Sequence, residues 1–68
     1  MRKPAISVLI PAYNRQSTIR ECIQSSLSND FGDLEVIVSD NGSDDGTADI
    51  AENMAKLDSR VLVIRQGQ

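Results

Sequence analysis

The stretch Ala5-Ile-Ser-Val-Leu-Ile-Pro11 is a nearly unbroken apolar run, rich in β-branched side chains, close to the start of the chain. Such a run is typical of a strand that is buried on both faces of a sheet. Proline has no N–H to donate to a neighbouring strand, so we expect the strand to end at Pro11. Two later runs have the same character, Leu34-Glu-Val-Ile-Val-Ser39 and Arg60-Val-Leu-Val-Ile-Arg65. The sequence therefore predicts three strands.

Between these strands the apolar residues change to a helical spacing. One face consists of Ile19, Cys22, Ile23, Ser26 and Leu27, and the other of Thr47, Ile50, Ala51, Met54 and Ala55. Each set predicts a helix with one buried face, on which Cys22 and Met54 are core residues. Thr18 and Glu21 have the spacing of a capping box, although Ser17 is an equally good cap. Residues 29–33 are expected to end the first helix and turn the chain.

The alternation of strands and helices indicates right-handed crossovers and a parallel sheet. The predicted fold class is α/β, a β-α-β-α-β unit with a three-stranded parallel sheet in the order 3-2-1. This order leaves the first strand with an unpaired edge, which favours homo-oligomers of an isolated chain.

Size and charge limit the classes of function. The chain has 68 residues, one Cys and no His, so it contains neither an internal disulfide nor a catalytic histidine. A domain of about 60 residues buries only about 60% of its unfolded surface. We therefore expect residues 1–68 to be one incomplete unit, ordered by self-association or within a longer protein. The net charge of −3 argues against a nucleic-acid partner.

The apolar run at residues 5–10 is too short for a signal peptide, and nothing approaches the ~20 apolar residues of a membrane span. The expected location is cytoplasmic, with membrane association only through other parts of a longer protein.

Polar segments follow the first two strands, where ligands bind in open α/β sheets. Tyr13 has a ring that stacks on a base and a hydroxyl that binds phosphate or ribose. Asp40 and Asn41 have short polar groups suited to the edge of a base or to a sugar hydroxyl. Gly42 and Gly46 are expected to adopt the positive φ angles of tight turns. The candidate ligand-binding residues are Pro11, Ala12, Tyr13, Asn14, Asp40, Asn41 and Gly42.

Asp, Asn, Gly and Ser residues after a strand are also ordinary in turns and helix caps. Asp45 or Thr47 is the expected N-cap of the second helix, and Asp44 and Asp49 lie where carboxylates favour a helix N-terminus. Arg15 is expected in solvent, near enough to the first strand end to reach a phosphate.

Other known motifs fit these loops poorly. No Gly-x-Gly-x-x-Gly follows the first strand, and there is no P-loop lysine pattern. An EF-hand calcium loop counted from Asn41 to Glu52 fits in part, but it lacks the first Asp and is entered from a strand. Calcium binding is therefore disfavoured.

Two motifs together resemble those of the nucleotide-sugar glycosyltransferases of family 2. These are Ile6-Ser-Val-Leu-Ile-Pro-Ala-Tyr-Asn14 and Ser39-Asp-Asn-Gly-Ser-Asp-Asp-Gly-Thr47. The resemblance covers nearly the whole chain. It implies the N-terminal part of a Rossmann-like, A-type nucleotide-diphospho-sugar transferase fold, and transfer of a sugar from a nucleotide-diphosphate-sugar donor to an acceptor hydroxyl.

The resemblance also implies roles for single residues. Pro11 and Tyr13 line the nucleotide pocket, with Tyr13 against the base. The family commonly has two Asp residues after the second strand, and the second reads the imide N–H of uracil. Here Asn41 takes that second place, and its neutral carbonyl accepts a weaker hydrogen bond. Thymidine and guanosine donors are therefore alternatives to a uridine donor.

The resemblance implies that the divalent metal, Mg²⁺ or Mn²⁺, and the catalytic base are held by residues beyond Gln68. We therefore expect no metal ligand and no catalytic residue in this chain, which supplies only the nucleotide-binding half. The alternative is a small non-catalytic α/β module that binds a nucleotide or self-assembles.

Overall fold

The computed structural model describes residues 6–28 and 33–66, in which strands and helices alternate as predicted. In chain order the elements are β1 (Ile6–Ala12), α1 (Ile19–Leu27), β2 (Leu34–Asp40), α2 (Thr47–Leu57) and β3 (Val61–Arg65). Most of the turn predicted at residues 29–33 lies outside the described residues. Neither described helix is long and apolar enough to cross a membrane.

The three strands form one parallel sheet with β2 in the centre, which confirms the predicted order. β1 pairs with β2 from Ile6 opposite Leu34 to Ala12 opposite Asp40. β3 pairs with the other edge of β2. Because the strands are parallel and in register, the segments that follow β1 and β2 leave the sheet at the same end.

The prediction that β1 ends at Pro11 is wrong, since β1 continues to Ala12 and Pro11 lies opposite Ser39. The Ile6 N–H donates to Asp33 and the Ala12 C=O accepts from Asn41, so both residues turn their backbone groups toward β2. Backbone groups alternate in direction along a strand. The nitrogen of Pro11 therefore faces the open edge, where proline removes no hydrogen bond.

Both helices pack on one face of the sheet. The core consists of Ala12, Ile19, Ile23, Leu34, Val36, Val38, Ala51, Met54 and Val61. The β2 members of this set, Leu34, Val36 and Val38, are spaced by two residues, as the alternating side chains of a strand require. Met54 is buried as predicted.

The buried face of α1 is narrower than predicted. Ile19 and Ile23 are buried, whereas Cys22 is exposed and lines a shallow groove with Ile10 beside the open edge of β1. The prediction that Cys22 is a core residue is therefore wrong. Thr18 makes no side-chain cap, so the capping box is absent as well. Instead the Arg15 C=O accepts the N–H groups of Thr18 and Ile19, and a backbone turn starts the helix.

An apolar row crosses the middle of the opposite sheet face and is covered by no described residue. Leu9, Ile37 and Leu62 lie side by side across the three strands. Leu9 is 64% exposed and Leu62 48%. The prediction that β1 is buried on both faces is thus wrong for the described chain, because α1 and α2 pack on the same side.

Candidate functional site

Two loops meet at the carboxyl ends of β1 and β2. The first loop comprises residues 13–18 and the second loop residues 41–46. The Asn41 N–H donates to the Ala12 C=O at 2.8 Å, which continues the strand pairing beyond the sheet. Since paired strands lie about 4.8 Å apart, Tyr13 and Asn41 leave the sheet as neighbours.

One group of hydrogen bonds links Asn14 to the second loop. The Asn14 N–H donates to Ser43 Oγ at 2.8 Å, and Asn14 Oδ1 accepts the Asp44 N–H at 2.8 Å. Ser43 in turn donates its hydroxyl to Asp40 Oδ1 and its N–H to Asp40 Oδ2. Asn14 has a positive φ of 52°, a conformation that asparagine tolerates better than most residues. This group ties the first residues of both loops together.

A second group links Gln16 to the start of α2. The Gln16 N–H donates to Asp45 Oδ2 at 3.2 Å, and Gln16 Oε1 accepts the Gly46 N–H at 2.7 Å. The Arg15 N–H donates to Thr47 Oγ1 at 2.7 Å. We call the two groups of cross-loop hydrogen bonds the loop clasp.

Asp45 acts at the N-terminus of α2, although not as the predicted N-cap residue. The residue at the cap position is Gly46, and Thr47 is the first helical residue. Asp45 accepts the Thr47 N–H at 3.0 Å and the Thr47 hydroxyl. These hydrogen bonds, the Thr47 hydroxyl first, lower the pKa of the Asp45 carboxyl. A charged acceptor thus anchors both the helix and the clasp.

The candidate residues differ sharply in exposure. Tyr13 is 54% exposed, and Asn41 is exposed as well. Asp40 is only 4% exposed and Ala12 only 2%. Tyr13 and Asn41 are therefore open to a ligand, whereas Asp40 is buried.

The remaining predictions for these loops are partly confirmed. Gly42 has the expected positive φ of 76°, whereas Gly46 has a φ of −86°, so that prediction is wrong for Gly46. Gly46 instead occupies a crowded position, where a Cβ would come within 3.2 Å of Gln16 Oε1. Pro11 is exposed at the edge of the site.

The sequence reasoning missed Gln16, Ser43 and the hydroxyl of Thr47 as members of the clasp. A serine three residues after an aspartate is an ordinary side-chain turn signal, and it would have indicated the Asp40–Ser43 contact. No local signal indicates Gln16, because its partners lie about 30 residues away in sequence.

Asp49 and Glu52, two carboxylates within the EF-hand calcium alternative at residues 41–52, bind an arginine. Arg65, the last residue of β3, donates to Glu52 at 2.7 Å and to Asp49 at 3.1 Å, and these contacts, that with Glu52 first, raise the pKa of its guanidinium. Within residues 6–28 and 33–66, no group of three or more His, Cys, Asp or Glu side chains is placed to hold a metal ion.

A family model described as Glycosyl transferase family 2 matches residues 7–68. The chain is 43% identical over 58 residues, 85% of its length, to GalNAc(5)-diNAcBac-PP-undecaprenol beta-1,3-glucosyltransferase of Campylobacter jejuni. It is 40% identical over 65 residues, 96% of its length, to a chondroitin synthase of Escherichia coli.

Among solved structures, the chain is similar to the mannosyltransferase PcManGT of Pyrobaculum calidifontis in complex with GDP-Man and Mn²⁺. The TM-score is 0.83 at 26% identity, over 97% of this chain. The chain spans 19% of the length of the Campylobacter protein, 10% of the chondroitin synthase and 20% of PcManGT.

Proposed function

The chain belongs to glycosyl transferase family 2, and from that premise we propose that the intact protein transfers a sugar from a nucleotide-diphosphate-sugar donor to an acceptor hydroxyl. In this proposal residues 1–68 supply the nucleotide-binding half of the enzyme. The nucleotide site consists of Pro11, Ala12, Tyr13, Asn14, Asp40, Asn41 and Gly42.

One observation carries the proposal. Tyr13 and Asn41 are exposed side by side at the carboxyl ends of two paired parallel strands, where open α/β sheets bind their ligands. The ring of Tyr13 offers a flat apolar surface for a base, and the amide of Asn41 offers one acceptor and two donors for its edge. The GDP-Man complex of PcManGT, which has the same fold over this segment, supports a nucleotide-sugar donor.

Asn41 makes the site less selective than an aspartate would. A neutral amide oxygen accepts the imide N–H of uracil or thymine, or the N1–H of guanine, without the added strength of a charge. The Asn41 NH₂ group also donates to the neighbouring carbonyl of any of these bases. The site therefore suits uridine, thymidine or guanosine donors.

The proposed chemical step needs a base and a divalent metal. The acceptor oxygen attacks the anomeric carbon, the bond to the diphosphate breaks, and the acceptor proton passes to a base. A divalent metal that neutralises the diphosphate does not fit the described residues, since no three potential ligands converge there. We assign neither the metal nor the base to this chain, and we expect the 68 residues alone to be inactive.

The test is a titration of the ¹⁵N-labelled chain with UDP, GDP and TDP, followed by amide NMR. We expect weak binding, with shifts confined to residues 11–14 and 40–43. The variant Tyr13→Ala lacks the ring that is proposed to contact the base, and it should lose most of the response. The absence of binding at millimolar nucleotide would contradict the proposal and favour the non-catalytic module.

A further inference from the structure

We propose that Asp40, Ser43 and Asn14 are positioning residues of the nucleotide site, which hold Tyr13 and Asn41 in place without contacting the nucleotide themselves. The inference rests on the proposed function, because it divides that site into residues that touch the ligand and residues that orient them.

Asp40 is the buried residue that anchors this arrangement. It is 4% exposed, and its two carboxylate oxygens accept the hydroxyl and the N–H of Ser43. A ligand at the surface of the loops does not reach a side chain buried to this degree. The Asp40 carboxylate therefore acts on the ligand only through the second loop, which it holds against the end of β2.

Ser43 joins the two loops through a single oxygen. Its hydroxyl donates to Asp40 and accepts the Asn14 N–H at 2.8 Å. A hydroxyl has one donor and two acceptor lone pairs, so it is able to make both contacts at once. Alanine at this position breaks both contacts, and threonine keeps the hydroxyl.

Tyr13 is held on both sides by the second loop. The residue before it, Ala12, accepts the Asn41 N–H, and the residue after it, Asn14, donates to Ser43. The bond from Asp44 to Asn14 Oδ1 closes the arrangement. The backbone of Tyr13 is thus fixed relative to Asn41 before any ligand arrives, and such preorganisation lowers the entropic cost of binding.

The experiment measures nucleotide affinity by calorimetry on the full-length protein, with whichever of UDP, GDP and TDP binds most tightly. We expect Ser43→Ala to weaken binding about threefold to tenfold, the effect of losing one or two hydrogen bonds. Ser43→Thr should restore the affinity of the wild type. Ser59→Ala is the matched control, since Ser59 is an exposed serine near the start of β3, at the other end of the sheet.

A double-mutant cycle distinguishes positioning from direct contact. In a Tyr13→Ala background only Asn41 is left to be positioned, so Ser43→Ala should then weaken nucleotide binding by less than about twofold. Equal losses in the two backgrounds would overturn the proposal, as would wild-type affinity of Ser43→Ala alongside weakened binding by Tyr13→Ala. Unchanged binding by both Tyr13→Ala and Asn41→Ala would instead overturn the nucleotide site, and this inference with it.

A second variant covers the case in which Ser43→Ala does not fold. Asn14→Gly removes the acceptor for the Asp44 N–H, and glycine adopts the positive φ of residue 14 without strain. We expect the same threefold to tenfold loss of affinity, with a melting temperature close to that of the wild type. Wild-type affinity of Asn14→Gly would count against the proposal.

Discussion

Gly42 has a backbone φ of 76°, whereas Gly46, four residues on, has a φ of −86°. A residue with a Cβ strains its backbone in the first conformation but not in the second. We expect Gly42→Ala to lower the free energy of unfolding by about 1–2 kcal/mol. Gly46→Ala carries no backbone strain and should cost less, although its Cβ displaces the Gln16 amide that accepts the Gly46 N–H. Urea denaturation of both variants checks this, and equal losses would show that backbone conformation is not the cause.

The second prediction for a single residue concerns Asn41 and its effect on nucleotide affinity. Asn41→Asp replaces a neutral acceptor by a charged one, and charge-assisted hydrogen bonds are roughly twice as strong. The full-length variant should therefore bind UDP about threefold to tenfold more tightly than the wild type. CDP is the control ligand, because cytosine has no imide N–H, and its affinity should not rise. Stronger binding of CDP as well would point to a change that does not involve the base edge.

The packing of α1 against the sheet depends on a few fully buried side chains. Ile23 has no exposed surface, whereas Ile64 of β3 is 48% exposed. Deletion of one buried methyl group costs about 1 kcal/mol, so Ile23→Val should lower the free energy of unfolding by that amount. Ile64→Val is the matched control and should change it much less. Chemical denaturation at a fixed protein concentration compares the two variants.

The turn from α2 to β3 contains an ion pair that acid breaks. Arg60 donates two side-chain hydrogen bonds and its N–H to Asp58, which lowers the pKa of Asp58 from 3.8 to about 2. Because the pKa is lowered by folding, the stabilisation is complete above about pH 4 and is lost as the pH falls through about 2. The effect should be small, since the pair is partly exposed.

NMR titration of the Asp58 carboxyl carbon should give a midpoint near pH 2, and Arg60→Ala should move it toward 3.8. A midpoint near 3.8 in the wild-type chain would show that the pair does not form in solution.

The positions of the strands and helices follow from the local sequence, whereas the burial of their faces does not. Runs such as Val36 to Val38 are β-branched and apolar, and they form strands wherever a sheet receives them. The exposure of Leu9 and Cys22 depends on which face of the sheet receives α1 and α2, a non-local choice. This is why the positions of the strands were predictable and the burial of β1 was not.

The same distinction applies to the site. The positions of Tyr13 and Asn41 at strand ends follow from the strand pattern and from the rule for open α/β sheets. The bonds of Gln16 and Ser43 join segments about 30 residues apart, and no local pattern encodes such contacts. The sequence therefore predicts that Tyr13 and Asn41 lie at the strand ends, whereas the contacts that support them are visible only in the structure.

The described part of the chain has an apolar row across one sheet face that no described residue covers, and outer strand edges that no described residue pairs. Leu9, Ile37 and Leu62 form a continuous row on the sheet face opposite the helices. Exposed apolar patches and unpaired edges both promote association. We therefore expect the isolated 68-residue chain to self-associate at moderate concentration.

Substitutions at two sets of leucines distinguish association through the sheet face from nonspecific association through any exposed leucine. Leu9→Thr with Leu62→Thr introduces β-branched side chains, which suit strands, and removes apolar surface from the row. Leu57→Thr is the matched control, because Leu57 is 86% exposed at the end of α2, away from the sheet face. Light scattering over a range of concentrations should show smaller species for the double variant and wild-type association for Leu57→Thr. If the double variant still associates like the wild type, the strand edges carry the contact instead, and a wild-type chain that stays monomeric would exclude both surfaces.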